Sequence, residues 1–368
     1  MNIGVNARHL IKNQLEGIGW YSYEVLSRIT KNHPEHNFYF FFDRKYSDEF
    51  VFNSNVSPVV VSPQARHPVL FKWWFDYALP KKFKEFKIDL FFSPDGFLSL
   101  KTQVPQIGVI HDLNFEHYPK DLPKGALKFY KNQMPKFAHK AEHILTVSDY
   151  SKNDIAKCYD ISRDKISVVY NGKGKGFYPY DFSERDRFCA KYNNNRPYFI
   201  YVGSLHKRKN VERMLAGFKQ FNDENSEFFD FVIIGEPMWK GQLNLDGLTK
   251  NVKFLGRKSG NELGGWVSSS SAMVYVSYFE GFGIPVLEGM SSGVPVVTSG
   301  VTSMPEVGGD AVIYVDPFSI DSIKDGLVKA TQKGSFQYYR DLGVKQAELF
   351  SWDKSSQKIA NLLFKKSY

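Results

Sequence analysis

Short apolar runs alternate along the chain with longer segments in which apolar residues recur every three or four positions. The short runs predict strands, and the longer segments predict amphipathic helices. Such alternation favours parallel sheets joined by crossover helices. Strands are predicted at residues 2–6, 38–43, 56–61, 90–93, 106–111, 143–147 and 166–170, and then at 198–203, 231–234, 252–255, 273–276, 296–298 and 312–315. Helices are predicted at residues 19–31, 123–139 and 149–159, with a closing helix at 352–365.

A polar stretch from residue 171 to 196 separates the two series of strands. It contains three glycines, a proline and three successive asparagines, a composition typical of a linker. A chain of 368 residues is also long enough for two domains. We therefore predict two doubly wound α/β domains, residues 1–175 and 176–350, and a C-terminal helical segment at 351–368. Ligands of such domains bind at the carboxyl ends of the strands.

Composition and charge narrow the function classes. Hydrophobic residues make up 42% of the chain and charged residues 24%, the balance of a soluble globular protein. The apolar runs are too short to span a membrane, and the first residues predict a strand rather than a secretion signal, so a cytoplasmic protein is expected. Cys158 and Cys189 lack metal-ligand spacing and are interpreted as structural thiols. The net charge of +9 falls mostly in residues 1–175, which suits a nucleic acid, an anionic membrane surface or an acidic substrate.

The most informative motif, FEGFGIPVLEGM at residues 279–290, follows a predicted strand and opens a predicted helix. Its glycines let the backbone turn sharply, so that N–H groups and the positive helix end converge on one point that suits a diphosphate. Glu280 and Glu288 lie eight positions apart, and both can accept hydrogen bonds from sugar hydroxyls. The alternative is that Glu280 is solvated and Glu288 complements the helix dipole. The candidate ligand contacts in this motif are Glu280, Phe282, Gly283, Ile284, Val286, Leu287 and Glu288.

The second candidate site is the turn GSLHKRKN at residues 203–210, between a predicted strand and a helix that Asn210 is predicted to cap. Three successive cations at the positive end of a helix are unfavourable, since the dipole there attracts anions. A bound diphosphate would relieve this conflict and would make Arg208 and Lys209 its partners. Ser204, which opens the turn, is a further candidate contact. A solvated basic turn is the alternative.

Two further candidates lie in the first half of the chain. His111 ends a predicted strand at the edge of the sheet where sites collect, although a lone histidine also suits a structural role. Gly17 and Gly19 open the first helix and can bring the backbone close to a ligand. They do not form a dinucleotide fingerprint, because Ser22 replaces the third glycine and the preceding loop is too long.

These four sites together resemble the family 4 glycosyltransferases of GT-B fold, over nearly the whole chain. Residues 280–288 are similar to the family's Glu-x7-Glu motif, and PEVGGDA at 305–311 is similar to its downstream signature. VSDYSK at 147–152 and VYNG at 169–172 match further family landmarks. The resemblance implies two Rossmann-like domains that face each other across a cleft. The first would bind the acceptor, the second would bind the nucleotide sugar, and the C-terminal helix would cross back onto the first domain.

The resemblance also implies roles for the site residues. Glu280 would contact the donor sugar and Glu288 the nucleotide ribose. Lys209, with Arg208, would bind the diphosphate, and His111 would lie near the reacting sugar. Many family members carry Arg where Ser204 stands, and Arg208 is the candidate to compensate.

The GSLxxRKN turn, with IHDL at 110–113, looks most like bacterial mannosyl- and rhamnosyltransferases of surface polysaccharide assembly. This implies retaining, front-face transfer of a hexose, with mannose from GDP-mannose favoured, to a glycan or polyprenyl-diphosphate-linked saccharide. No metal or other cofactor is expected, because cations of the protein would stabilise the leaving diphosphate. The alternatives are a sugar-nucleotide epimerase of similar fold, a catalytically silent scaffold and a basic nucleic-acid-binding protein. Nucleic acid is not an expected partner, since the chain lacks a recognisable nucleic-acid-binding module.

Contact with a membrane is a further hypothesis. Lysines recur at helical spacing in the first half, at Lys120, Lys124, Lys128 and Lys131. Phe129, Met134 and Phe137 are predicted to add apolar surface, and residues 71–84 combine aromatic residues with lysines. Each lysine near an anionic bilayer contributes about 1 kcal/mol, so the first domain is expected to dock peripherally on the cytoplasmic membrane. An ordinary solvated helix face above buried aromatic residues is the alternative.

Overall fold

The computed structural model describes residues 1–65, 67–236, 245–248 and 250–365. Contacts between residues separate the chain into two units. The first unit comprises Met1–Asn171 and the C-terminal segment that begins at Trp352. The second unit comprises Gly172–Ser351.

The sheet of the first unit contains seven strands, β1 (Asn2–Asn6), β2 (Asn37–Phe42), β3 (Val56–Val60), β4 (Leu90–Ser93), β5 (Gln106–Val109), β6 (His143–Thr146) and β7 (Ile166–Val168). They pair in parallel in the order β3-β2-β1-β4-β5-β6-β7. Inner strands of such a sheet are buried on both faces and are therefore rich in apolar residues, as Phe40, Phe41 and Phe42 of β2 illustrate. The seven strands predicted for this half are confirmed.

The helices of the first unit are α1 (Gly17–Asn32), α2 (Pro68–Trp73), α3 (Leu79–Glu85), α4 (Asn114–His117), α5 (Lys124–Lys140) and α6 (Asp149–Tyr159). A π-helical turn, Trp74–Ala78, joins α2 to α3, and 3-10 turns occupy Asp48–Phe50, Pro119–Asp121 and Arg163–Lys165. At the start of α6 the Ser148 hydroxyl accepts the N–H of Ser151 at 3.0 Å, which satisfies one of the donors that a helix leaves unpaired there.

The sheet of the second unit contains six strands among the described residues, β8 (Tyr198–Val202), β9 (Asp230–Ile234), β10 (Val252–Phe254), β11 (Ala272–Tyr275), β12 (Val296–Ser299) and β13 (Ile313–Val315). They also pair in parallel, in the order β10-β9-β8-β11-β12-β13. In both sheets the strand order reverses beside the first strand of the unit. Ligands of doubly wound sheets bind beyond the carboxyl ends of the strands at that reversal. The reversal falls between β1 and β4 in the first unit and between β8 and β11 in the second.

The helices of the second unit are α7 (Phe182–Asn193), α8 (Val211–Glu224), α9 (Gly260–Ser268), α10 (Ile284–Ser291), α11 (Met304–Gly308), α12 (Ile320–Thr331) and α13 (Ser335–Ala347), and Lys207–Lys209 forms a 3-10 turn. Helix α7 corrects the interpretation of residues 171–196 as a linker. It begins with a capping box, in which Asp181 accepts the N–H of Glu184 at 2.7 Å and Glu184 accepts the N–H of Asp181 at 2.8 Å. Its Phe188 packs on Trp266 with ring centroids 5.3 Å apart, and Asn194 ends it in the left-handed conformation, with φ of 52°.

The closing helix, α14 (Trp352–Leu363), belongs to the first unit. Trp352 packs edge-on against Tyr21 of α1 with ring centroids 5.9 Å apart. Arg28 of α1 donates to Asp353 at 2.6 Å. These contacts confirm the prediction that the last helix returns to the first half of the chain. Residues 366–368 of the predicted C-terminal segment lie outside the described residues. None of the described helices has the length and hydrophobicity needed to span a membrane.

Candidate active site

The loops after β8 and β11 bring Arg208, Lys209 and Glu280 together, because these two strands are neighbours in the sheet. The ammonium of Lys209 donates to Glu280 Oε1 at 2.5 Å, and the guanidinium of Arg208 donates to Glu280 Oε2 at 2.9 Å. The hydroxyl of Tyr275 donates to Glu280 Oε1 at 3.0 Å and also contacts the Lys209 ammonium. Glu280 is therefore a buried partner of two cations, not a solvated loop residue.

Electrostatics keeps this carboxyl ionised. Burial alone would raise the pKa of Glu280, but the charges of Arg208 and Lys209 outweigh it and lower the pKa to about 2. Two cations for one carboxylate leave the cluster with an excess of one positive charge. The side chains of Lys209 and Glu280 are 10% and 7% exposed, whereas that of Arg208 is 22% exposed. The guanidinium of Arg208 is therefore accessible to a ligand, and a diphosphate is an anion that suits its positive charge.

The glycine-rich turn holds its shape at Gly283, which precedes α10 with φ of 92°. This left-handed conformation favours glycine, and a Cβ atom at this position would collide with the Met304 side chain. Pro285 occupies the first turn of α10, where its missing N–H group leaves no hydrogen bond unmade. The side chains of Phe282, Val286 and Leu287 are buried, so these candidates can contact a ligand only through their backbone. Ile284 is half-buried at the first position of the helix.

Glu288 sits one turn inside α10 and is half-buried. No hydrogen bond or ion pair joins its carboxylate to another residue among those that the structure describes. Burial accordingly raises the pKa of Glu288 to about 8. Its Oε1 lies 3.9 Å from the position that a Cβ atom would occupy on Gly174. The two carboxyls of the Glu-x7-Glu motif are therefore in opposite states, one ionised and paired, the other protonated at neutral pH and available to a ligand.

Asn210 stands at the N-cap position of α8, as predicted. Its side chain, however, makes no capping hydrogen bond to the helix. Its amide donates to the carbonyls of Val276 and Pro317 at 3.0 and 2.7 Å, and its oxygen accepts from Arg213 at 2.8 Å. Asn210 thereby ties the basic turn to the loop after β11. Ser204 is half-buried, and its carbonyl accepts the Tyr201 hydroxyl at 2.8 Å.

His111 and the Gly17–Gly19 turn belong to the first unit. His111 follows β5, and its Nε2 lies 2.8 Å from the carbonyl of Pro94. Burial lowers the pKa of His111, so the imidazole is neutral, with its proton on Nε2 and a lone pair on Nδ1. Gly19 is required for close packing, because a Cβ atom there would lie 2.8 Å from the His9 carbonyl, whereas Gly17 faces open space.

A buried ion pair beside His111 was not predicted from the sequence. Asp95 follows β4 and accepts hydrogen bonds from Arg8 at 2.5 Å and from His9 at 3.0 Å. Burial alone would raise the pKa of Asp95, but the Arg8 charge and the His9 hydrogen bond lower it below the usual range. The available signal was that Arg8, His9 and Asp95 are polar residues two or three positions after the ends of β1 and β4.

Among the described residues, His117, Asp154 and Cys158 of the first unit form one group of side chains that lie close enough together to hold a metal ion. None of its members belongs to the loops that carry the candidate site.

Comparison with known proteins agrees with this architecture. A family model described as Glycosyltransferase Family 4 matches residues 15–172, and one described as Glycosyl transferases group 1 matches residues 182–345. The chain is similar to O-antigen chain mannosyltransferase B of Escherichia coli, with 27% identity over 371 residues that cover 95% of this chain and 96% of the relative.

Two solved structures show the same fold. The glycosyltransferase WaaG, described as involved in lipopolysaccharide biosynthesis, superposes with a TM-score of 0.78 at 14% identity over 100% of both chains. HepE of Anabaena in complex with UDP-glucose superposes with a TM-score of 0.74 at 14% identity over 98% of both chains. The two family models together span most of the residues, and the chain belongs to the family 4 glycosyltransferases of GT-B fold.

Proposed function

We propose that this glycosyltransferase moves a hexose, with mannose favoured, from a nucleotide diphosphate sugar to a saccharide acceptor in bacterial surface polysaccharide assembly, with retention of configuration. The observation that carries the proposal is the cluster of Arg208, Lys209 and Glu280 at the strand-order reversal of the second unit. Its excess positive charge suits the diphosphate of a donor.

In the proposed donor complex, Lys209 and Arg208 bind the diphosphate and stabilise the negative charge that develops when the glycosidic bond breaks. Glu280 holds both cations in place and offers its remaining acceptor capacity to hydroxyls of the donor sugar. Glu288 binds the ribose hydroxyls, which supply the hydrogen-bond donors that this carboxyl lacks in the free protein. The N–H groups that open α10 face the same anion.

The proposed reaction needs no metal, because the protein cations neutralise the leaving group. The acceptor hydroxyl attacks the anomeric carbon from the side of the departing diphosphate. The new C–O bond forms as the old one breaks, and the acceptor proton passes to a diphosphate oxygen. His111 is proposed to bind the sugar through its Nδ1 lone pair.

The name of the E. coli relative supports mannose as the transferred hexose, and GDP-mannose is the donor that we propose for it. A panel of GDP, UDP, ADP and their common sugar conjugates, scored by thermal stabilisation, tests the nucleotide, since a ligand of the folded state raises the melting temperature. We expect the largest shift with GDP compounds.

Product analysis then tests the reaction. Turnover of the sugar nucleotide without any acceptor would favour an epimerase and contradict transfer.

A matched pair of variants tests the site assignment. Lys209→Ala should reduce stabilisation by the preferred nucleotide, whereas Lys207→Ala, which removes the exposed neighbouring lysine, should not. Equal nucleotide binding by both variants would contradict the proposed diphosphate contact.

We also propose that the first unit contacts an anionic membrane surface, where a lipid-linked acceptor would be found. The structure corrects the apolar surface expected for this contact, because Met134, Phe137, Trp74 and Phe75 are buried in the core. The exposed apolar side chains instead lie on α2 and the π-helical turn, at Val69, Leu70, Trp73 and Tyr77, which are 68%, 39%, 43% and 50% exposed. An exposed apolar face of this kind marks an interaction surface.

Helix α2, which carries part of this apolar face, packs against α5, which carries the lysines. Phe71 of α2 packs against Phe129 of α5 with ring centroids 5.6 Å apart, so the two helices are neighbours. Lys124, Lys128 and Lys131 are all exposed along α5. Apolar insertion and attraction to anionic headgroups can therefore act from the same region.

Sedimentation with vesicles tests the contact. Binding to vesicles that contain phosphatidylglycerol should weaken with added salt, and it should fall in Trp73→Ser and in Lys124→Glu/Lys128→Glu. The control is Lys354→Glu/Lys358→Glu, which changes two exposed lysines of α14 at the same spacing. Equal loss in this control, or equal binding to neutral vesicles, would contradict the proposed surface.

A further inference from the structure

His9, Asp95 and Arg8 form a hydrogen-bonded cluster at the strand-order reversal of the first unit, where the loops after β1 and β4 meet. Asp95 Oδ1 accepts from Asn6 at 2.7 Å, from Ser93 at 2.9 Å and from the N–H of Phe97 at 3.1 Å. Its Oδ2 accepts from Arg8 and His9. With its side chain 1% exposed, Asp95 is fully engaged by the protein and cannot itself bind a ligand.

Arg8 is equally inaccessible. Its guanidinium lies 4.2 Å from the ring centroid of Phe71 and 5.0 Å from that of Phe75, and its side chain is 5% exposed. Its charge is cancelled by Asp95. In contrast, the side chain of His9 is 41% exposed. His9 is therefore the member of this cluster that presents a polar group to solvent.

The turn after β4 fixes the tautomers of two histidines. A carbonyl and an ionised carboxylate can only accept hydrogen bonds, so the Nε2 atom of His111 donates to Pro94 and that of His9 donates to Asp95. In their neutral forms both imidazoles then carry a lone pair on Nδ1. The His9 carbonyl also packs against Gly19, so His9 lies beside the glycine turn that opens α1.

We propose that this cluster is a binding subsite for the saccharide acceptor, in which His9 Nδ1 accepts a hydrogen bond from a sugar hydroxyl and Asp95 and Arg8 act as positioning residues. A hydroxyl is the suitable ligand, because the Arg8–Asp95 pair carries no excess charge that would attract a phosphate. The inference rests on the proposed glycosyl transfer, and it names the part of the substrate that the first unit recognises.

The test measures the KM for acceptor and donor separately. The acceptor probes are octyl glycosides of mannose, rhamnose, galactose and N-acetylglucosamine, each paired with the sugar nucleotide that gives transfer. His9→Ala should raise the acceptor KM about tenfold, the factor expected for one hydrogen bond, and leave the donor KM unchanged. His9→Asn, whose amide oxygen can take the place of Nδ1, should recover most of this loss.

His117→Ala is the matched control, because His117 forms a similar pair with Asp154 at 2.8 Å in the same unit and its side chain is 36% exposed. This variant should not change the acceptor KM. Asp95→Asn should raise the acceptor KM in the native chain. In a His9→Ala background its further effect should appear in the stability of the protein, because it leaves the buried Arg8 unpaired, and not in the acceptor KM. An active His9→Ala variant with an unchanged acceptor KM would overturn the inference. An equal rise of the acceptor KM in His117→Ala would also overturn it. Both outcomes would leave the proposed function intact. Failure of every donor and glycoside pair to react would refute the proposed function, and the inference with it.

Discussion

Replacing Glu288 with Gln should stabilise the free protein above neutral pH while weakening its binding of the nucleotide. The folded protein holds this carboxyl with a pKa of about 8, against an ordinary value of 4.5. Folding therefore takes up a proton at pH values between these two. The contribution of Glu288 to the free energy of unfolding is therefore most favourable below pH 4.5. It becomes less favourable as the pH rises towards 8. A glutamine does not titrate, so the variant escapes this loss.

The size of the effect follows from the pKa shift. Each pKa unit corresponds to about 1.36 kcal/mol, so raising the pH from 5 to 8 would cost the native protein at most about 4 kcal/mol relative to the variant. Glu288 is only half-buried, and solvent screening reduces this to about 1–2 kcal/mol. For a unit of this size, each kcal/mol shifts the melting temperature by about 2–4 °C. The variant should therefore melt about 2–8 °C higher than the native protein at pH 8, with little difference at pH 5.

Thermal denaturation from pH 5 to pH 8.5, with and without the preferred nucleoside diphosphate, measures both effects. The nucleotide should stabilise the variant less than the native protein, because the proposed contact with the ribose would be weakened. Glu348→Gln, which changes an exposed carboxylate of the same unit, should show no pH-dependent difference. The reasoning would be refuted if the Glu288→Gln curve followed the native curve at every pH, or if the variant were less stable at pH 8.

Three further outcomes follow from the second unit. Lys209→Ala should reduce kcat by about 10²-fold or more, measured at saturating donor, because it removes the charge that we propose to stabilise the leaving diphosphate. Gly283→Ala should destabilise the protein by about 1–3 kcal/mol in urea denaturation, since alanine disfavours φ of 92° and its Cβ atom would collide with Met304. Transfer should proceed at the native rate in excess EDTA, and loss of activity restored by Mg²⁺ or Mn²⁺ would contradict the proposed role of the protein cations.

The strands could be predicted because parallel strands buried on both faces leave short apolar runs in the sequence. Helix α7 could not be predicted with the same rule, since its exposed side is polar and its apolar contact depends mainly on Phe188 against Trp266. A local signal was present, because Asp181 and Glu184 have the spacing of a capping box. The glycine and asparagine residues on either side indicated a linker instead.

The candidate residues of the donor site could be selected from local motifs, but their partners could not. Lys209 and Glu280 are 71 positions apart, and they meet only because β8 and β11 are adjacent in the sheet. Arg8 and Asp95 are 87 positions apart and meet between β1 and β4 for the same reason. Strand order is a property of the whole sheet, and no local pattern in either segment specifies it. The proposed role of His9 therefore required the structure.

The two ion-pair clusters show how the same topology serves different chemistry. Each cluster places a buried carboxylate against a cation at a strand-order reversal. In the first unit, aromatic rings enclose Arg8 and the charges cancel one to one, so the pair orients a neighbouring histidine. In the second unit, Arg208 remains 22% exposed and two cations share Glu280. A diphosphate can then gain a favourable interaction without removing the carboxylate that holds the cations. Both clusters contain a buried ion pair. They differ in the ratio of cations to carboxylates and in the exposure of the cations. These two properties distinguish the Arg8–Asp95 positioning cluster from the proposed site of bond cleavage at Arg208, Lys209 and Glu280.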